Sequence, residues 1–110
     1  MTSSTKRFGL REEADAAALL TRDQGRTLLD RASRVLMAGE PMQVDFAGVE
    51  AMSPSFADEF FGGMLELLGP EAFRKMVRIH CPSDAWRVLV RKVLAHRAHS
   101  PKSPPSMQRG

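Results

Sequence analysis

The sequence predicts a small α/β domain, a sandwich in which a mainly parallel or mixed β-sheet is covered by about three helices. Segments whose apolar residues alternate like those of strands are interleaved with segments whose apolar residues recur at helical spacing. Capping residues, glycines and prolines separate them. The length of 110 residues, with 43% hydrophobic and 26% charged residues, is typical of one globular domain. Strands alternating with helices favour parallel pairing through right-handed crossovers.

Residues 1–13 are predicted to be a flexible lead-in, because they are polar, mixed in charge and without periodicity. The domain itself is predicted over residues 14–98. Its first segment, 14–20, is compatible with a short strand or a helix, since alanine favours helix while the cap that follows favours a separate element. We expect a weak first strand there.

The first long helix is predicted to begin near Arg22. Thr21 and Gln24 have the spacing of a capping box, in which each side chain satisfies a backbone donor of the other residue. Gly39 is expected to end this helix. Its apolar face consists of Leu28, Leu29, Ala32, Val35 and Leu36.

The segment 41–49 is predicted to hold the central strand, because its apolar residues alternate after an initial proline. Ser53 then offers a capping hydroxyl, and Pro54 suits the first helical position, where its missing N–H costs nothing. The helix that follows is predicted to run to Gly69. Its wide apolar stripe contains three phenylalanines, so it should be the best-buried helix.

A third strand is predicted over residues 76–81, followed by a last helix capped by Ser83. Residues 99–110 are rich in proline, serine and basic residues and are predicted to form a disordered tail. The single cysteine, Cys81, cannot form an internal disulfide. The first twenty residues contain charges and only a short apolar run, which predicts neither a signal peptide nor a membrane span, and hence a cytoplasmic protein.

The charges are distributed unevenly along the chain. Residues 1–73 carry seven Lys and Arg against twelve Asp and Glu, whereas residues 74–110 carry nine against one. A basic face of this kind attracts nucleic acid, an anionic membrane or an acidic protein; a solvated helix face followed by a basic tail is the alternative. The candidates for an anion-binding or nucleic-acid-binding face are Arg87, Arg91, Lys92 and Arg97.

Signatures of enzymes are absent from the sequence, which contains no phosphate-binding loop, dinucleotide fingerprint or nucleophile elbow. His80 and Cys81 are adjacent, so on a strand they point to opposite faces. His96 and His99 lack a third metal ligand. Asp45 is a candidate acid by position, and a loop anchor is the alternative. We therefore expect a non-enzymatic protein without metal or cofactor.

The segment 49–60 is the most informative part of the chain. A strand end, a short loop and a helix start place Ser53 and Ser55 near exposed backbone donors, where an anion or phosphate could bind. A simple helix cap is the alternative, and Asp58 and Glu59 oppose an anion in the same turn.

Three segments resemble a known family. ThrArgAspGlnGly at 21–25, ValAspPheAlaGlyVal at 44–49 and SerProSerPheAlaAspGluPhe at 53–60 resemble the STAS-like domain family of unknown function, over about residues 14–97. The resemblance implies a bacterial or phage-type protein with a fold related to the anti-sigma-factor antagonist domain. It therefore implies that the predicted α/β sandwich is STAS-like.

In the antagonists, the loop after the strand begins D-S-S-G, and a GHKL-type kinase phosphorylates its first serine to switch partner binding. Here Ser53 stands in place of the aspartate, Pro54 in place of the phosphorylated serine, and Phe56 in place of the glycine. The resemblance thus implies docking of a protein partner, such as a GHKL-type ATP-binding protein, more directly than it implies phosphorylation. The residues implied for partner binding or a phosphorylation switch are Ser53, Ser55, Phe56, Asp58 and Glu59.

Overall fold

The strands form two small parallel sheets in the computed structural model, which describes residues 5–99. Three strands make the larger sheet in the order β1, β3, β5. Their bounds are β1 Lys6–Gly9, β3 Met42–Asp45 and β5 Val77–His80. The smaller sheet pairs β2, Ala18–Leu19, with β4, Ala51–Met52. Every pairing is parallel, and β3 is the central strand, as predicted.

Five helices lie among the described residues, where about three were predicted. α3 continues from residue 54 to residue 68 and includes a π-helical stretch, Asp58–Gly62. The other four are α1 Leu10–Ala14, α2 Arg22–Met37, α4 Pro70–Met76 and α5 Asp84–His99. None of these helices is long and apolar enough to cross a bilayer. The α/β class is confirmed, and the additional helices, α1 and α4, are the two short ones.

The prediction of a flexible lead-in over residues 1–13 is wrong for the part that the structure describes. Lys6 pairs with Met42 at the start of the β1–β3 ladder, so the domain begins before residue 14. Phe8 and Leu10 are 2% and 0% exposed. Two buried apolar side chains among so many charged ones are too few to produce a periodicity in the sequence. They are nevertheless enough to hold β1 and the start of α1 against the core.

The capping predictions are confirmed at all three long helices. The capping box of Thr21 and Gln24 opens α2, and Ser53 and Ser83 each accept a hydrogen bond from a backbone N–H at the start of α3 and α5. The predicted strand at 14–20 is present only as the two residues of β2. The predicted tail from His99 onwards lies outside the described residues apart from His99 itself, which ends α5.

The core lies between the sheets and α3, as its sequence predicted. Phe56, Phe60, Phe61 and Met64 of this helix are all 0% exposed. Gly69 ends α3 with a φ of 85°, a conformation that glycine adopts without strain, and Pro70 then begins α4. The buried phenylalanines pack the start of α3 against the rest of the domain. This start lies within the segment 49–60.

Candidate functional site

Ser53 joins the end of β4 to the start of α3. Its hydroxyl accepts a hydrogen bond from the N–H of Phe56 at 3.1 Å and donates one to the carbonyl of Leu20 at 2.7 Å. Its own N–H donates to the carbonyl of Leu19 at 2.8 Å. Ser53 is therefore an N-cap that also ties α3 to the end of β2, and its hydroxyl is fully engaged.

The starts of α2 and α3 lie side by side, because β2 and β4 are neighbouring parallel strands that each lead into a helix. The Gln24 side chain accepts hydrogen bonds from the N–H groups of Leu20 and Thr21 at 2.7 and 3.1 Å. Both caps therefore fix the short segment at Leu20 and Thr21. The side chain of Leu20 remains 50% exposed beside them.

Substitution of Ser53 by alanine is expected to destabilise the domain by about 1–2 kcal/mol, because the cap of α3 and the bond to β2 are lost together. Ser55→Ala is the matched control. No hydrogen bond of the Ser55 hydroxyl occurs within the described residues, so its loss should cost less than about 0.5 kcal/mol. Urea unfolding of both variants measures the difference. Equal losses would show that the Ser53 bonds are not the source of the stability.

Ser55 faces an open groove of about 290 Å³ between the starts of α2 and α3 and the C-terminal half of α5. We call it the Ser55 groove. Besides the serine, the lining contains two cations, one histidine, one carboxylate, one valine and one proline. Its lining consists of Arg22, Pro54, Ser55, Asp58, Lys92, Val93 and His96. The groove therefore holds the half-buried Ser55 together with Lys92, His96 and the ion pair of Arg22 with Asp58.

Phe56 does not contribute to this surface, which corrects its prediction as a partner-binding residue. Its side chain is 0% exposed, and its ring lies 5.6 Å from that of Phe60. Phe56 belongs to the apolar stripe of α3, and the residues of that stripe point into the core. It is therefore part of the core and not of the lining of the Ser55 groove.

Asp58 and Glu59 are held in ion pairs that clamp α3 between its two neighbouring helices. From α2, the guanidinium of Arg22 lies 3.1 Å from Asp58 and 3.3 Å from Glu59, while Arg26 lies 3.7 Å from Glu59. From α5, Arg97 donates to Asp58 at 3.1 Å. The carboxylates predicted to face a partner therefore serve first to hold three helices together.

The pKa of Asp58 is lowered, chiefly because Arg97 donates a hydrogen bond to the carboxylate and in lesser part because Arg22 does. A carboxylate whose pKa is lower in the folded state adds stability above its unfolded pKa of about 3.9. That contribution is lost as the pH falls through the folded pKa.

Asp58→Asn is therefore expected to destabilise the domain by about 1 kcal/mol at neutral pH and by less in acid. Asp30→Asn is the control, since no basic group lies within 4.0 Å of this carboxylate among the described residues. Urea midpoints recorded between pH 7 and pH 2.5 give the comparison. A gap between wild type and Asp58→Asn that stays constant across this range would contradict the assigned charge interaction.

The four cations predicted as an anion-binding face are not brought together as one patch. Arg87 lies 3.2 Å from Asp84, and Arg97 pairs with Asp58 and Glu66. Lys92 lines the Ser55 groove, whereas Arg91 lines a different groove on the other side of α5. Adjacent residues of a helix point about 100° apart, which explains the separation of the last two.

The candidate enzymatic groups are structural or isolated. Asp45 accepts hydrogen bonds from the N–H of Ala47 at 2.9 Å and from Arg7 at 2.8 Å, and these two donors lower its pKa. It is the loop anchor weighed in the sequence. Cys81 is buried, while His80 is exposed, as expected for neighbours at a strand end. No cluster of three metal-binding side chains occurs within residues 5–99.

Sequence reasoning did not identify three members of the Ser55 groove as neighbours of Ser55: Arg22, Val93 and His96. Each is 30 or more positions from Ser55 in the chain, and only the packing of α2 and α5 against α3 brings them there. Leu20 was hidden in the ambiguous segment 14–20. The one available signal for Leu20 was its position directly before the Thr21 capping box.

Comparison with known proteins assigns the chain to a family. The model of one family, described as the STAS-like domain of unknown function (DUF4325), matches residues 24–84, which is more than half of the chain. The match contains two of the three resembling segments in full, 44–49 and 53–60, and begins within the third. Neither the curated proteins nor the solved structures gave a match. The chain belongs to the family of STAS-like domains of unknown function.

Proposed function

We propose that this domain is a non-enzymatic regulatory module that docks a partner protein, such as a GHKL-type ATP-binding protein or an anti-sigma-like kinase, through the loop and helix start at residues 50–60. The observation that carries the proposal is the Ser55 groove; the exposed Leu20 is joined to the same helix start by the hydrogen bond from Ser53 to its carbonyl. Membership of a STAS-like family supports a regulatory interaction role in general. The partner class follows from the resemblance.

The surface around the groove is preorganised for binding. The Ser53 cap, the Thr21 capping box and the β2–β4 pairing fix the backbone on both sides of it. A rigid surface loses little entropy on association, so more of the contact energy is available for affinity. Leu20, just before α2, and Pro54, the first residue of α3, are both exposed and offer apolar surface to a partner, with polar groups of the groove around it.

The charges of the groove favour a partner that presents carboxylates or a phosphate. Lys92 and His96 come from α5, and Arg22 from α2, where it already pairs with Asp58 and Glu59. Within the described residues Lys92 has no carboxylate within 4.0 Å, so its charge is available to a partner. Ser55 is the second residue of α3, at the positive end of the helix dipole, although the N–H of Phe56 is already donated to Ser53. A phosphate on Ser55 would therefore meet positive groups, which keeps a phosphorylation switch within this proposal.

The test is affinity capture of the tagged protein from its native host at moderate salt, with mass spectrometry of captured proteins and of serine phosphorylation. Leu20→Glu and Ser55→Glu are expected to reduce recovery of the main partner by about tenfold or more, because each places a charge in the docking surface. Leu67→Glu is the matched control, since Leu67 is 45% exposed, close to the 50% of Leu20, but lies outside the groove.

The proposal fails if the same partner is recovered equally with wild type, Leu20→Glu and Ser55→Glu while circular dichroism shows all three folded. Recovery of nucleic acid in place of protein, lost on raising the salt, would instead support the alternative of a nucleic-acid-binding accessory protein. The pairing of Arg87 and Arg97 within the fold argues against that alternative.

A further inference from the structure

A second groove lies on the opposite side of α5, between this helix, α4 and the start of β5. Its volume is about 430 Å³, and apolar side chains form most of its surface. We call it the Phe73 groove. Its lining consists of Leu65, Pro70, Phe73, Arg74, Val77, Arg91, Leu94 and Ala95. It shares no residue with the Ser55 groove, so the proposed docking site does not account for it.

Two arginines stand on opposite walls of the Phe73 groove, Arg74 on α4 and Arg91 on α5. Both are exposed, and within the described residues neither guanidinium lies within 4.0 Å of a carboxylate. Even Glu71, on the same helix as Arg74, forms no such pair. This differs from Arg22, Arg26 and Arg97, which all pair with carboxylates of α3.

No carboxylate lines the Phe73 groove, so its charge is complementary only to an anionic occupant. The buried residues at the bottom of the groove further restrict which anionic molecules can bind. Leu65, Phe73 and Val77 are 6–8% exposed and offer apolar surface that a phosphate backbone would not use. The ring of Phe73 is too buried to stack on a base. The combination matches an occupant with both apolar and acidic side chains.

We infer that the Phe73 groove binds an acidic amphipathic helical segment of a partner protein. Apolar residues of the segment, spaced three or four apart, fill the groove between α4 and α5, as in other helix-in-groove complexes. Its carboxylates pair with Arg74 and Arg91, whose planar guanidinium groups suit bidentate contacts. The two walls are helices packed on the core, so the groove needs no rearrangement to accept the segment.

The test is a fluorescence-anisotropy titration of the full chain against a labelled synthetic peptide of about 15 residues, with leucines at helical spacing and glutamates elsewhere. Arg91→Glu and Arg74→Glu are each expected to weaken binding by about tenfold or more. Ala95→Arg keeps the positive charge but fills the groove, and we expect a similar loss. Arg34→Glu, an exposed arginine of α2 outside the groove, should change binding less than about twofold.

One further peptide separates specific docking from simple charge attraction. An acidic peptide with serines in place of leucines should bind about tenfold more weakly or worse. Equal binding of the two acidic peptides, or an unchanged affinity with Arg91→Glu and Ala95→Arg, would overturn the inference. So would binding of a DNA duplex, but not of the acidic peptide, with the same dependence on Arg74 and Arg91. Leu20→Glu should leave the peptide affinity unchanged, which distinguishes this site from the Ser55 groove.

Discussion

Replacement of Phe60 by alanine is expected to destabilise the domain by about 3–5 kcal/mol. Phe60 is 0% exposed, and its ring lies 4.9–5.8 Å from those of Phe8, Phe56 and Phe61. The substitution removes this contact area and leaves a cavity between β1 and α3 that the short strands cannot close. A loss of this size is a large part of the 5–15 kcal/mol that stabilises a typical domain.

Leu67→Ala is the control for that measurement, because Leu67 lies on the same helix but is 45% exposed. It should cost less than about 1 kcal/mol. Denaturant unfolding followed by far-UV circular dichroism compares the two variants. Similar losses at Phe60 and Leu67 would mean that the aromatic cluster is not the centre of the core.

The second large effect is expected at Gly25, where α2 crosses closest to α3. A Cβ atom at this position would lie 2.9 Å from the Cβ of Glu59 and 3.1 Å from the carbonyl oxygen of Phe56. Alanine normally stabilises a helix by about 0.5–1 kcal/mol relative to glycine. Here the backbone of α3 would have to move, so we expect Gly25→Ala to destabilise by about 1–2 kcal/mol.

Gly63→Ala is the matched control, since Gly63 is also helical and also faces a neighbouring helix. Its added Cβ would meet only the end of the Leu29 side chain, which is half-buried and able to rotate away. Thermal unfolding should therefore show a Tm near or above that of wild type for Gly63→Ala and a lower Tm for Gly25→Ala. A higher Tm for Gly25→Ala would contradict the close approach of α2 and α3.

Local signals in the sequence were sufficient for most of the fold. The Thr21 capping box, Ser53 with Pro54, and Gly69 each act within one turn of helix, and each stands where it was predicted. The alternation at 41–49 likewise identified the central strand β3, although the strand itself covers only Met42–Asp45. The caps are readable because their stabilising contacts lie within a few residues, and β3 is readable because its apolar side chains alternate between buried and less buried positions.

Features that depend on distant partners could not be read in the same way. β1 has just two buried residues and is held by its ladder to β3, more than thirty positions away. The ion pairs of Asp58 with Arg22 and Arg97 join three helices, and no spacing in the sequence reveals them. The resemblance, and not the apolar stripe of α3, placed Phe56 on the docking surface, whereas Arg91 and Lys92 were grouped only by their positions in the sequence.

The two sides of α5 line different grooves. Lys92 and His96 face the Ser55 groove, and Arg91 and Ala95 face the Phe73 groove. Arg97, between them, ties the helix to Asp58 of α3. Of the basic residues in the C-terminal third, Arg97 therefore makes a structural contact, while Lys92 and Arg91 line two separate grooves.

Photocrosslinking in the native host tests whether a partner docks at the Ser55 groove. A photoreactive phenylalanine analogue is placed at Leu20, at Ser55 or, as a control, at the exposed Met37, which is the last residue of α2 and does not line the groove. Docking at the groove should give one protein adduct of the same identity from positions 20 and 55 and none of that identity from position 37. Adducts from position 37 alone, or no adduct from position 20 or 55, would rule out this docking site.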